Sequence, residues 1–127
     1  MRLVDLKPIW KGKPYRADDG ALYSDQVDSI DDAGGVQFLC PVCFQKNLKE
    51  KGIGTKGTHI IRCWTPEVSQ DHLPNPGRWN LNGTGFDDLT LTGANGKGAS
   101  VQLTGGCHAH FFIKLGVIEL VLSLIHI

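Results

Sequence analysis

Apolar positions in this chain fall into short runs with a period of two, separated by clusters of glycine, proline and asparagine. Leu89 and Leu91, then Val101 and Leu103, alternate with polar neighbours, the repeat of a strand with one buried face. Residues 58–64 (T-H-I-I-R-C-W) are β-branched and aromatic, side chains that crowd a helix and fit a pleated surface. We expect strands over residues 3–9, 36–39, 58–64, 78–81, 88–92, 100–104, 107–114 and 117–121. Residues 113–118 read as two of these strands meeting at a tight turn. Pro66, Pro74 and Pro76 make the stretch between Trp64 and Trp79 a loop. Only residues 24–33 suit a helical turn or two, with Ser24 as N-cap and Gly34 as the stop. The pattern predicts a mainly β domain, a small sandwich or half-barrel, with at most one short helix.

Length agrees with one such domain. The 127 residues fall within the usual range of roughly 100–200 per domain, and a chain of this size buries about two-thirds of its unfolded surface. Glycine, 16 residues, is about twice as frequent as the ordinary ~7% and serves here as turn punctuation. The 13 basic and 13 acidic side chains cancel, which excludes a protein held to nucleic acid by bulk charge. Charge is nonetheless segregated. Residues 17–35 carry acids and no Lys or Arg, whereas Lys46, Lys49, Lys51, Lys56 and Arg62 form a basic lobe diluted only by Glu50. Such runs are ordinarily solvated faces, and the sharper reading is a nucleic-acid contact.

The first eight residues lack the apolar core of a secretory signal, so reduced thiols and a cytoplasmic or virion-associated location are expected. Residues 111–127 are mostly apolar but contain Lys114 and Glu119, where a spanning helix needs about 20 largely uncharged residues. No membrane partner is expected. The last six residues, L-S-L-I-H-I, match the translation of a transposase-derived sequencing adapter of the kind carried into metagenomic reads. The domain is therefore expected over residues 1–121, with 122–127 a non-native tail.

Cysteine spacing brings in chemistry. Cys40-Pro41-Val42-Cys43 and Cys107-His108-Ala109-His110 are a C-x-x-C and a C-x-x-H. Two-residue spacing lets both ends of a tight knuckle face one ion, and zinc takes four such donors in a tetrahedron. Cys40, Cys43, Cys107 and His110 are thus the expected ligands of one zinc that closes a tertiary loop. Two alternatives stay open. His108 faces the same side of a strand as His110, with Cys107 on the other, unless Gly105-Gly106 bends the chain. Cys63 offers a further thiolate, although a lone cysteine in an apolar strand is ordinarily core. Four protein ligands imply a structural zinc, since a catalytic one keeps a position open for water. The H-E-x-x-H pattern is absent, and the order of residues fails the nucleobase-deaminase pattern. The G-x-G-x-x-G match at residues 52–57 precedes a strand instead of opening a helix, so it reads as a loop. Asp87-Asp88 reads as a turn or cap before a strand.

Taken together, these residues resemble a family of small, functionally uncharacterised proteins of bacteriophages and bacteria. The resemblance rests on F-L-C-P-V-C at 38–43, I-R-C-W at 61–64, P-G-R-W at 76–79, G-T-G-F-D-D-L-T-L at 83–91 and S-V-Q-L-T-G-G-C at 100–107, continuing to Gly116. It spans residues 36–118. Ala109 stands where the family commonly has Trp, His108 is additional, and the Gly-rich residues 93–99 replace a Pro-containing join. The resemblance implies a metal site and a phage or prophage setting, and no reaction. The function expected is a non-enzymatic accessory or interaction module of a phage, acting on an unknown phage or host protein. The alternatives are a zinc-knuckle module binding nucleic acid through the basic lobe, and a metal-dependent hydrolase using His108 or Asp87 and Asp88.

Overall fold

Leu3 and Leu6 stand one turn of 3-10 helix apart, and both are fully buried. In the computed structural model, which describes residues 1–103 and 106–121, the expected first strand accordingly splits. Leu3–Leu6 is a 3-10 helix ended by left-handed Lys7 (φ 54°), and strand β1 follows at Ile9–Gly12. The adapter-like tail, residues 122–127, lies outside the described residues. After β1 come β2 (Tyr15–Arg16), β3 (Leu22–Tyr23), β4 (Gln26–Val27), a 3-10 turn (Ile30–Asp32) and β5 (Ala33–Leu39). The helix α1 (Pro41–Lys51) leads to β6 (Ile60–Trp64), β7 (Asn80–Asn82), β8 (Thr90–Thr92), β9 (Val101–Gln102), β10 (His110–Lys114) and β11 (Val117–Leu120). The fold is mainly β, as the period-two pattern implies.

All strand pairs are antiparallel. The largest sheet runs β4-β1-β5-β6, the second β11-β10-β9, and β2-β3 and β7-β8 are two-stranded. Alternation decides which face is buried. Val36 and Phe38 of β5 and Phe111 and Ile113 of β10 enter one core with Leu3, Leu6, Leu89 and Leu91. The two larger sheets meet there, and the rings of Phe38 and Phe111 pack edge to face with centroids 5.9 Å apart.

The expected helical segment departs from the structure. Residues 24–33 hold only the Ile30–Asp32 turn, because Gln26 and Val27 pair with β1 instead. The α-helix lies directly after Cys40. Pro41, with no N–H to leave unsatisfied, opens it, and left-handed Gly52 (φ 73°) closes it by donating its N–H to the Leu48 carbonyl at 3.0 Å. Lys49 and Lys51 sit in its last turn, where cations favour the helix dipole. Among the described residues no helix is long and apolar enough to cross a membrane.

The turn between β10 and β11 ties the N-terminus to the second sheet. Gly116 accepts from Leu3 N at 2.8 Å and donates to the Leu89 carbonyl at 2.9 Å. Its φ is 76°, and a Cβ there would strike the Asp87 carbonyl, so only glycine serves.

Asp87 and Asp88 stabilise this corner. Asp87 pairs with Arg2 at 3.2 Å on the surface, while Asp88 accepts from Thr84 N, Thr84 Oγ1 and Gly85 N, each at 2.9 Å. The Thr84 and Gly85 amides, then the Thr84 hydroxyl, hold the Asp88 carboxyl below the usual carboxylate range. A carboxylate depressed in the folded state contributes stability that is present above its unfolded pKa, about 3.9, and lost as pH falls through the folded value. Melting temperature measured from about pH 5 down to about pH 2 should therefore fall less steeply in Asp88→Asn than in the native chain. Equal slopes would show that the carboxylate contributes nothing.

Candidate metal centre

Cys40 closes β5 and opens α1, so its side chain sits where a buried strand meets a helix N-terminus. Cys43 lies in the first turn of that helix and faces the same point, as residues three apart on a helix do. The chain then returns through residues 52–58 under firm control. Gly54 is buried against the Phe44 ring, the Thr58 hydroxyl donates to the Gly54 carbonyl, and buried Asn47 of α1 donates to Thr58 Oγ1 at 2.9 Å. The G-x-G-x-x-G stretch is thus a loop, and its role is to bring the chain back beside Cys40. There Cys40 N donates to the His59 carbonyl at 2.9 Å, extending the β5–β6 ladder, in which Leu39 pairs with Ile60. Cys107 arrives from the connection between β9 and β10.

The donor atoms of Cys40, Cys43, His59 and Cys107 all lie within 4.8 Å of one another. Cys40 Sγ is 3.6 Å from Cys107 Sγ, which is 3.5 Å from His59 Nε2. Sulfur donors at about 2.3 Å around a tetrahedral zinc stand roughly 3.8 Å apart, so this spacing fits one ion. These four residues can hold a metal ion. Cys40 is buried, Cys43 and Cys107 are half-buried and His59 is exposed.

Burial dominates the electrostatics of the thiols. It pushes Cys40 up to about 12, with Cys107 and Cys43 adding to the rise against a lowering backbone hydrogen bond from Cys43. Burial also raises Cys43. Cys107 is desolvated as well, but its contacts with His59, the Ala109 backbone, Cys40 and Cys43 outweigh that and bring it to about 7. Cys107 is therefore the readiest thiolate, and a metal entering the site must displace protons from the other two.

The structure places the remaining sequence candidates elsewhere. The imidazole of the cluster is His59, not His110. His110 begins β10 and pairs with Gln102, and the residues on either side, Ala109 and Phe111, are the buried ones. His108 takes a left-handed conformation (φ 53°) between Cys107 and the strand and is exposed. The segment is thus a turn into a strand, not a knuckle, and the two-residue spacing from Cys107 to His110 does not close on one point. Cys63 is fully buried in β6 opposite Val36, and burial raises its thiol. Asp87 and Asp88 lie outside the cluster. Within the basic lobe, Lys46, Lys49 and Lys51 are exposed on α1, while Arg62 is held on β6 by a 2.8 Å bond from its Nε to Gln37.

His59 was legible only through pairing. If β5 ends at Leu39 and pairs with a strand beginning at Ile60, residues 40 and 59 are neighbours across the ladder. Comparison of the chain with protein-family models, with curated proteins and with solved structures finds no match.

Proposed function

We propose that the cluster binds one structural zinc, and that the chain is a non-enzymatic accessory or interaction module of a phage or prophage. The observation that carries the zinc reading is the convergence of three thiols and one imidazole from separate parts of the chain. Soft and borderline donors favour zinc over the hard cations, which take oxygen ligands. Four protein donors complete a tetrahedron and leave no position for a reacting water, which argues for structure over hydrolysis. The phage setting is supported by the composite sequence pattern across residues 36–118.

Elemental analysis of purified protein should give one zinc per chain. Replacement by cobalt should produce the visible absorption of a tetrahedral, thiolate-rich site, lost in His59→Ala and kept in His110→Ala. A fully folded protein that binds neither metal overturns the zinc reading. Genes for virion or phage accessory proteins beside the source locus are expected, and a locus without any removes the phage setting.

A further inference from the structure

A cavity lies beside Arg62. We propose that the cavity between the β2–β3 hairpin and β6 binds a nucleoside 5′-phosphate. The cavity has a volume of about 330 Å³ and is built by four separated stretches: β1, the hairpin, β6 and the loop at residues 71–73. That volume lies in the range of small-ligand sites, about 300–1,000 Å³, and at its lower end it suits one nucleotide and not a chain of them.

The lining matches such a ligand part by part. Lys11 and Arg62 are the cations, and each is held by one bond. Lys11 Nζ donates to the Ser24 carbonyl at 2.8 Å, and Arg62 Nε donates to Gln37 Oε1 at 2.8 Å. The remaining Lys11 protons and both η-nitrogens of Arg62 meet no hydrogen-bond acceptor among the described residues, so they are free for a phosphate. Anchored stems reduce the entropy lost on binding.

Aromatic surface comes from Tyr23, with buried Trp64 (4% exposed) closing the floor behind it. The Trp64 indole is fixed by its Nε1 bond to the Leu73 carbonyl at 2.9 Å. Tyr23 is 46% exposed, and its ring packs beside Tyr15 at 6.0 Å while its hydroxyl donates to Asp19. A half-exposed ring held in place is a platform for a base. Asp71 and His72 complete the wall. The Asp71 carboxylate opposes a bare anion, but it accepts a hydrogen bond from a sugar hydroxyl or an exocyclic amine. Cations, one exposed ring and an acceptor together favour a phosphorylated nucleoside over inorganic phosphate. The phosphate can belong to a free mononucleotide or to the 5′ end of a single strand.

The test is calorimetric titration of the full chain as purified with adenosine 5′-monophosphate, adenosine, inorganic phosphate and a 5′-phosphorylated oligonucleotide. Saturable binding of the monophosphate is expected, tighter than that of adenosine or phosphate alone. Lys11→Met and Arg62→Gln should each weaken it about tenfold or more, the loss of one charge-assisted contact. Either variant reads the site if the other fails to fold. An oligonucleotide that binds more tightly than the monophosphate identifies a strand end as the source, and a weaker one identifies the free nucleotide. No saturable binding of either, or affinity unchanged in both variants, overturns the proposal. The zinc reading is scored separately by the cobalt spectrum, so the two fail independently.

Discussion

Chelation of the metal should unfold this protein. Removing zinc with a strong chelator is expected to abolish cooperative thermal unfolding followed by circular dichroism, and adding zinc back should restore it. The magnitude decides the outcome. Structural zinc contributes on the order of 10 kcal/mol of apparent folding free energy, comparable with the entire stability of a small domain, about 5–15 kcal/mol. The geometry explains why so much of that energy is folding energy here. Cys40 and Cys43 belong to the β5–α1 junction, His59 to the start of β6, and Cys107 to the chain entering β10. One ion therefore joins the four-stranded sheet, the helix and the three-stranded sheet. Without it, the buried Cys40 thiol retains only weak sulfur contacts.

Single substitutions should divide the candidates in the same way. Cys40→Ser, Cys43→Ser, His59→Ala and Cys107→Ser should each lose zinc and melt far below the native chain. His108→Ala, His110→Ala and Cys63→Ala should keep stoichiometric zinc. A native melting curve in excess chelator, with zinc shown to be gone, would refute the structural role.

Truncation of Phe111 should be the most damaging change away from the metal. Phe111 is fully buried, pairs with Val101 and Leu120 across its own sheet, and meets Phe38 of the other. Replacing a buried phenylalanine by alanine costs about 3–5 kcal/mol through lost burial and the cavity left behind. For a domain of this size that lowers the melting temperature by roughly 10–20 °C. Urea unfolding of zinc-loaded Phe111→Ala measures the loss, and its zinc content should remain at one per chain. That last reading separates a packing defect from a failure of the metal site. A cost below about 1 kcal/mol would mean that the two sheets do not rely on this contact.

The strands from β5 onward are readable because the evidence for them is local, whereas the two-residue β2, β3 and β4 are too short to show an alternation. Val36 and Phe38, Leu89 and Leu91, and Phe111 and Ile113 are buried with the period that the chain displays. The turn at Leu115-Gly116 was readable for the same reason. The helix was not, because α1 presents little apolar patterning. Only Pro41 and Asn47 in it are buried, and six of its other residues are exposed. Its signals are terminal ones, Pro41 at the start and Gly52 at the end, and the C-x-x-C spacing at that start fits a knuckle as well as a helix turn. Residues 3–9 depart from a single strand for a related reason: Leu3 and Leu6 are three apart, a helical spacing inside a run that also contains apolar Val4.

The three thiols of the cluster were legible as types and spacings, since few roles gather cysteines in this way. The fourth donor was not. A histidine three residues beyond a cysteine is a ligand only if the backbone between them closes, and here Cys107, left-handed His108 and the start of β10 extend instead. By itself, then, the amino-acid sequence determined a mainly β domain, its strands from β5 onward and a set of cysteines suited to a metal. Tertiary structure alone decided that His59 joins them. Its membership depends on the register of β5 against β6 and on a helix and loop that return the chain to Cys40, and register is a property of two segments packed together, not of either one.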